Sequence, residues 1–216
     1  VRTDLSRYID HTLLRPEASR TDIEALCTQA REHAFKSVCL NRLWVETASG
    51  LLEGSDVLVC SVVGFPLGAT SSTVKAREAA EAVRAGAGEI DMVLAVGLLK
   101  QGDREAVRDD IAAVVQACEG RTVKVILETA LLDDEEKVSG CRLSREAGAH
   151  FVKTSTGFGP GGATLEDVAL MRSTVGDSMG VKASGGIRTA PHVDAFIGAG
   201  ANRIGTSSGV AIVTSD

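Results

Sequence analysis

Apolar runs of about four to seven residues alternate along the chain with amphipathic stretches of about 10 to 20, the signature of βα units built on a parallel sheet. The pattern predicts strands at 8–13, 37–40, 57–64, 89–95, 123–128, 151–154, 180–183 and 203–205. Helical periodicity fills the intervals, for example at 21–33, 72–85, 104–118 and 133–147. Several of these stretches open on Ser, Thr or Asp, the side chains that cap a helix N-terminus. No Pro/Gly/Ser-rich linker and no block of charge divides the sequence. Eight consecutive units in one domain spanning 1–216 predict a closed (β/α)8 barrel.

An internal repeat aligns the strands with one another. Segments 85–91 (AGAGEID), 147–153 (AGAHFVK) and 199–205 (AGANRIG) match without gaps, each a helix end, a glycine stop and a strand. They put Asp91, Lys153 and Gly205 at equivalent positions. Three Val-Lys pairs, Val123-Lys124, Val152-Lys153 and Val181-Lys182, recur every 29 residues, about one βα unit. Side chains alternate along a strand, so each Val can face the helices while its Lys points into the barrel. The expectation is three ammonium groups at one register with Asp91 opposite. Barrel active sites lie at the C-terminal ends of the strands, and Asp91, Lys153 and Lys182 are expected to fall there.

Ionised groups inside a core are unfavourable unless paired or functional. Lysine at its ordinary pKa of about 10.4 is protonated at neutral pH and attacks no carbonyl. A neighbouring ammonium and an apolar wall that together lower that value by about 3 units would leave much of it nucleophilic. Lys153 is the expected nucleophile, Lys182 the ammonium that tunes it, and Asp91 a proton shuttle, directly or through water. A Schiff base on Lys153 would then serve as an electron sink for carbon–carbon cleavage. A structural salt bridge of Asp91 with Lys124 or Lys182 is compatible with that role. Glycine-rich loops follow the last three predicted strands, containing Gly157, then Gly185 and Gly186, then Gly205 with Ser207 and Ser208. Their backbone N–H groups can cradle a phosphate, with Arg188 placed to assist.

Composition narrows the classes further. A net charge of −6 argues against a nucleic-acid partner, which needs a basic surface. With 44% hydrophobic residues and no apolar run near the roughly 18 residues a spanning helix needs, no membrane segment is expected. The opening Val-Arg-Thr-Asp lacks a basic-then-apolar leader and reads as cytoplasmic, and the missing initiator Met reads as a trimmed chain. Five irregularly spaced cysteines read as reduced core thiols, and four dispersed histidines offer no HxH or HExxH spacing for a metal.

Four stretches carry a resemblance: Ile9-Asp10-His11-Thr12-Leu13-Leu14, Glu89-Ile90-Asp91-Met92-Val93, the VKTSTGFG run from Val152 to Gly159, and the VKASGGIR run from Val181 to Arg188. In this order, across nearly the whole chain, they resemble the deoxyribose-phosphate aldolases, a class I aldolase family. The resemblance implies reversible cleavage of 2-deoxy-D-ribose 5-phosphate to D-glyceraldehyde 3-phosphate and acetaldehyde, in deoxyribonucleotide catabolism, with no metal or organic cofactor. It implies that Lys153 forms the Schiff base and that Lys182 and Asp91 tune it and relay protons. Asp10, Thr12 and Thr154 would contact substrate, and Cys39 would line the acetaldehyde end. Gly157, Gly185, Gly186, Gly205, Ser207 and Ser208 would hold the phosphate, and Lys124 would join the charge network. A homodimer or higher homo-oligomer is implied as well.

Two features depart from the family pattern. Phe158 stands where some members carry a basic residue, so phosphate binding is expected to lean on backbone amides. Some members end in a mobile tail with a catalytic tyrosine, whereas the only tyrosine here is Tyr8; either this branch works without it or the tail lies beyond the given chain. Two other readings stay open: a different Schiff-base aldolase of transaldolase type, and a barrel that only binds a sugar phosphate.

Overall fold

The computed structural model describes residues 2–215, so Val1 and Asp216, the ends of the predicted domain, lie outside it. Eight parallel strands close on themselves in sequence order: β1 (Ile9–Leu13), β2 (Ser37–Leu40), β3 (Leu58–Val63), β4 (Glu89–Val93), β5 (Thr122–Ile126), β6 (Phe151–Lys153), β7 (Gly180–Ser184) and β8 (Arg203–Thr206). The barrel closes from β8 back to β1 with Gly205 beside Asp10. Around it run α1 (Arg20–Glu32), α2 (Val45–Leu51), α3 (Ser72–Arg84), α4 (Val96–Lys100), α5 (Arg104–Ala117), α6 (Asp134–Glu146), α7 (Leu165–Val175), α8 (Ala190–Gly198) and α9 (Gly209–Thr214). The predicted (β/α)8 barrel is therefore present. Strand boundaries differ by one or two residues, the largest differences being at β4 and β5, which stop at Val93 and Ile126, two residues short of their expected ends.

The helices form where the sequence offers both a cap and a buried stripe. Ser19 and Asp22 make a reciprocal capping box at the start of α1, and Ile23, Leu26, Cys27 and Ala30 bury one face at i, i+3, i+4 and i+7 spacing. Asp133 and Glu136 repeat the box at α6, and Ser71, Asp103, Thr164 and Thr189 cap α3, α5, α7 and α8. All five cysteines are free and buried. No helix among the described residues is long and apolar enough to cross a membrane.

Alternation along the strands separates two environments. Val123, Val152 and Val181 are fully buried in the apolar layer beneath the helices, while Lys124, Lys153 and Lys182 turn inward. Barrel interiors are filled in levels by alternate strands, and the repeat positions Asp91, Lys153 and Gly205 come from β4, β6 and β8. The expected common register of the three lysines needs correcting. Lys153 pairs in register with Lys182 but with Ile126 on β5, so Lys124 starts one inward position lower. Asp91 and Lys182 also lie mid-strand rather than at strand ends; Lys153 alone of the three ends its strand.

Candidate active site

Asp91 is the hub of the barrel interior. Its Oδ2 accepts from Lys153 Nζ and from Lys182 Nζ, each at 2.8 Å. Its Oδ1 accepts from Lys124 Nζ at 2.8 Å and from the Cys60 thiol at 3.1 Å. Lys182 reaches on to Asp10 at 2.5 Å, and Lys124 to Glu89 at 2.6 Å. Arg203 closes the set, its Nη1 lying 2.8 Å from both Asp10 and Glu89, with its guanidinium over the Phe151 ring.

Burial alone would push Asp91 and Asp10 toward the neutral form, but the cations outweigh it. Asp91 is held well below the usual carboxylate range by Lys124, Lys153 and Lys182, and Asp10 is likewise lowered by Lys182, Lys124 and Arg203. Desolvation similarly opposes charge on the cations, yet Asp10 and Asp91 raise Lys182, and Asp91 leads the groups that raise Lys124. The interior thus holds three carboxylates, Asp10, Glu89 and Asp91, against four cations, Lys124, Lys153, Lys182 and Arg203. One positive charge is in surplus. Each of the other three cations bridges at least two carboxylates, whereas Lys153 touches only Asp91. Lys153 is therefore the cation with the fewest carboxylate partners.

Lys153 is also where the network meets open space. With 3% of its surface exposed, it forms the floor of a cavity of about 350 Å³ at the C-terminal mouth of the barrel. Of the residues expected to contact substrate, Thr12, Gly157, Gly185, Gly186, Arg188, Gly205 and Ser207 line that cavity. Gly185 and Gly186 carry φ of 92° and 81°, consecutive left-handed residues that explain the glycine pair. Arg188 is exposed at the mouth and makes no ion pair among the described residues. Phe158 stands on the opposite wall, edge-on to Phe65.

Other expected residues lie behind the wall. Asp10, Asp91, Lys124 and Lys182 are fully buried and do not line the cavity. Cys39 is fully buried too and packs with Leu14, Cys60 and Val62, apart from the cavity lining. Thr154 joins β6 to β7, its hydroxyl donating to the Ser184 carbonyl and accepting from the Ser184 N–H. The Ser208 N–H is taken by Thr206 Oγ1 at 2.9 Å. Gly205 has a packing reason beyond the cavity, since a Cβ there would lie 3.0 Å from Lys182 Cε.

Glu89 and Arg203 were not among the expected site residues. The signal for them was in the repeat, where Glu89, Phe151 and Arg203 occupy aligned positions two residues before Asp91, Lys153 and Gly205. The fold also brings Cys39, Cys60 and Asp91 within 4.8 Å of one another, a grouping that their spacing conceals; both Asp91 oxygens are engaged by lysines.

The DeoC/LacD family aldolase pattern matches residues 5–215. A deoxyribose-phosphate aldolase of Brevibacillus brevis is 60% identical over 211 residues, 98% of this chain and 96% of that protein. One from Bdellovibrio bacteriovorus is 60% identical over 209 residues, 97% and 95% of the two chains. Among solved structures, the deoxyribose phosphate aldolase of Aeropyrum pernix superposes with a TM-score of 0.92 at 40% identity, covering 98% of this chain and 90% of its own. By extent and identity alike, the chain belongs to the DeoC/LacD aldolase family.

Proposed function

We propose that this single-barrel catalytic domain is a deoxyribose-phosphate aldolase, cleaving 2-deoxy-D-ribose 5-phosphate reversibly to D-glyceraldehyde 3-phosphate and acetaldehyde in deoxyribose catabolism. The observation that carries the reading is Lys153 Nζ at the cavity floor, the cation with the fewest carboxylate partners in a buried network with one positive charge in surplus. As the free amine, Lys153 adds to the C1 aldehyde of the open-chain sugar and loses water to give the iminium. The C2–C3 bond then breaks, its electrons entering the C1–C2 enamine while the C3 hydroxyl gives up its proton and becomes the aldehyde of the three-carbon product. Protonation at C2 and hydrolysis release acetaldehyde and regenerate Lys153.

Asp91 Oδ2 links the Lys153 and Lys182 amines through hydrogen bonds of 2.8 Å, a route for moving protons between the nucleophile and the buried ammonium. Asp91 acts as the fixed anion of that route and Lys182 as the donor. Thr12 orients the sugar, and Gly157, Gly185, Gly186 and Ser207 receive the phosphate beside Arg188. Cytoplasmic residence and a homo-oligomer complete the reading, the second supported by the tetrameric structure of the Aeropyrum pernix deoxyribose phosphate aldolase.

Borohydride added with acetaldehyde is expected to leave an ethyl group on Lys153, located by mass spectrometry, and Lys153→Leu is expected to abolish both trapping and cleavage. Modification of another lysine, or turnover of longer keto sugar phosphates with none of deoxyribose 5-phosphate, would overturn the assignment.

A further inference from the structure

Beyond β5 the chain turns at Glu128, a left-handed residue with φ 57° and ψ 61°, a conformation that non-glycine side chains seldom adopt. The turn carries its carboxylate inward to the loop that follows β6. There the Thr156 N–H donates to both carboxylate oxygens, at 3.3 and 3.4 Å, and the Thr156 hydroxyl donates to Oε2. Thr156 Oγ1 accepts in turn from the Phe158 N–H at 3.0 Å. These bonds set the shape of residues 156–158, one wall of the main cavity. The approach is close enough that a Cβ on Gly159 would lie 2.8 Å from Glu128 Cδ.

Glu128 does not line the main cavity. It lies behind the wall, in a smaller cavity of about 180 Å³ bounded also by Pro66, Leu131 and Phe158. It is nearly fully buried and has no cation within ion-pair distance among the described residues. A carboxylate taken from water is stabilised here by Thr156 alone, a charge-assisted contact that gives the loop one preferred shape. The strand ends are tied as well, since the Thr129 N–H donates to the Thr154 carbonyl at 3.0 Å.

We propose that Glu128 is a positioning residue for the phosphate end of the substrate: it clamps the loop after β6 through Thr156 and so governs selection for phosphorylated sugars, leaving the Schiff-base chemistry of Lys153 untouched. The inference rests on the phosphate-binding reading of the Gly157 loop given above. Losing a hydrogen bond to a charged group typically weakens binding by about tenfold or more.

The test compares Glu128→Ala, Glu128→Gln and Thr156→Val with the unchanged enzyme, on 2-deoxyribose 5-phosphate, on unphosphorylated 2-deoxyribose, and in borohydride trapping with acetaldehyde. Glu128→Ala is expected to raise KM for the phosphorylated sugar on the order of tenfold with a small change in kcat. Its kcat/KM for 2-deoxyribose and its trapping with acetaldehyde should stay near those of the unchanged enzyme. Glu128→Gln, which keeps an acceptor oxygen for Thr156, should restore most of the KM. If Glu128→Ala does not fold, Thr156→Val removes only the hydroxyl donor and carries the same expectation of a selective KM rise. Equal losses on both sugars, or an unchanged KM in the variants, would overturn the clamp. Preference of the unchanged enzyme for unphosphorylated 2-deoxyribose would instead overturn the phosphate reading beneath it.

Discussion

At the scale of single residues, the question is why one lysine among several buried ones is free to act. Lys182 and Lys153 share one oxygen of Asp91, but Lys182 has Asp10 as a second anion and Lys153 has none. Replacing Lys182 by Met leaves three cations facing three carboxylates. The surplus positive charge is then gone, and Asp91 Oδ2 is left to Lys153 alone. The expected outcome is a pH–rate profile displaced to the alkaline side and a kcat lower by roughly 10²-fold or more, measured by steady-state cleavage across pH. An undisplaced profile would mean that Lys182 carries protons without setting the charge of Lys153. Lys153 and Asp91 were legible because the AGA repeat puts them at equivalent strand positions. Arg203 was not singled out, since an arginine at the first position of a strand looks the same in sequence whether it faces water or a buried carboxylate.

At the scale of elements, depth inside the barrel decides which predicted residues meet substrate. β4 and β7 continue past Asp91 and Lys182 by two residues each, whereas β6 ends at Lys153, and of the three only Lys153 lines the cavity. Sequence reading located the strands through their apolar runs but not how far each side chain sits from the rim, because the stagger between strands is a property of the closed sheet. Gly205 on β8 illustrates the result. A Cβ there would approach both Lys182 Cε and Ser184 Cβ to 3.0 Å, so Gly205→Ala should push Lys182 off its two carboxylates and lower kcat more than it lowers thermal stability. The opposite ordering, a large stability loss with intact kcat, would make Gly205 a packing residue only. Helix starts were easier to read, because a cap is local. Asp133→Ala removes the α6 capping box and should lower unfolding free energy by about 1 kcal/mol in urea titrations, with kcat unchanged.

For the molecule as a whole, periodicity made the barrel legible, but the filling of its interior was not, because the decisive contacts join residues 172 and 193 positions apart, Lys182 and Arg203 with Asp10. That filling predicts how stability depends on pH. Asp10 and Asp91 have folded pKa values below the ordinary carboxylate range, so their contribution is complete above about pH 4 and is lost as pH falls further. His11 titrates earlier. Burial lowers its pKa, and its Nε2 lies 2.8 Å from Gln29 Oε1, so the folded state binds fewer protons than the unfolded one below about pH 6.5 and stability declines from there. On the alkaline side, burial raises Cys27 to about 11 and Cys118 and Cys141 to about 12. Raised groups contribute fully below their unfolded value, about 8.5 for a thiol, and that contribution is lost above it, with Lys124 and Lys182 following above about 10.4. Urea midpoints measured under reducing conditions should therefore be highest between about pH 6.5 and 8.5, fall gently to about 4, and then fall steeply. Surface ion pairs would be screened by salt, but this network is buried, so 1 M salt should leave the steep acid limb in place. A midpoint that declines across pH 7 to 8, where none of these groups titrates, would show that the charged interior does not govern the stability of the barrel.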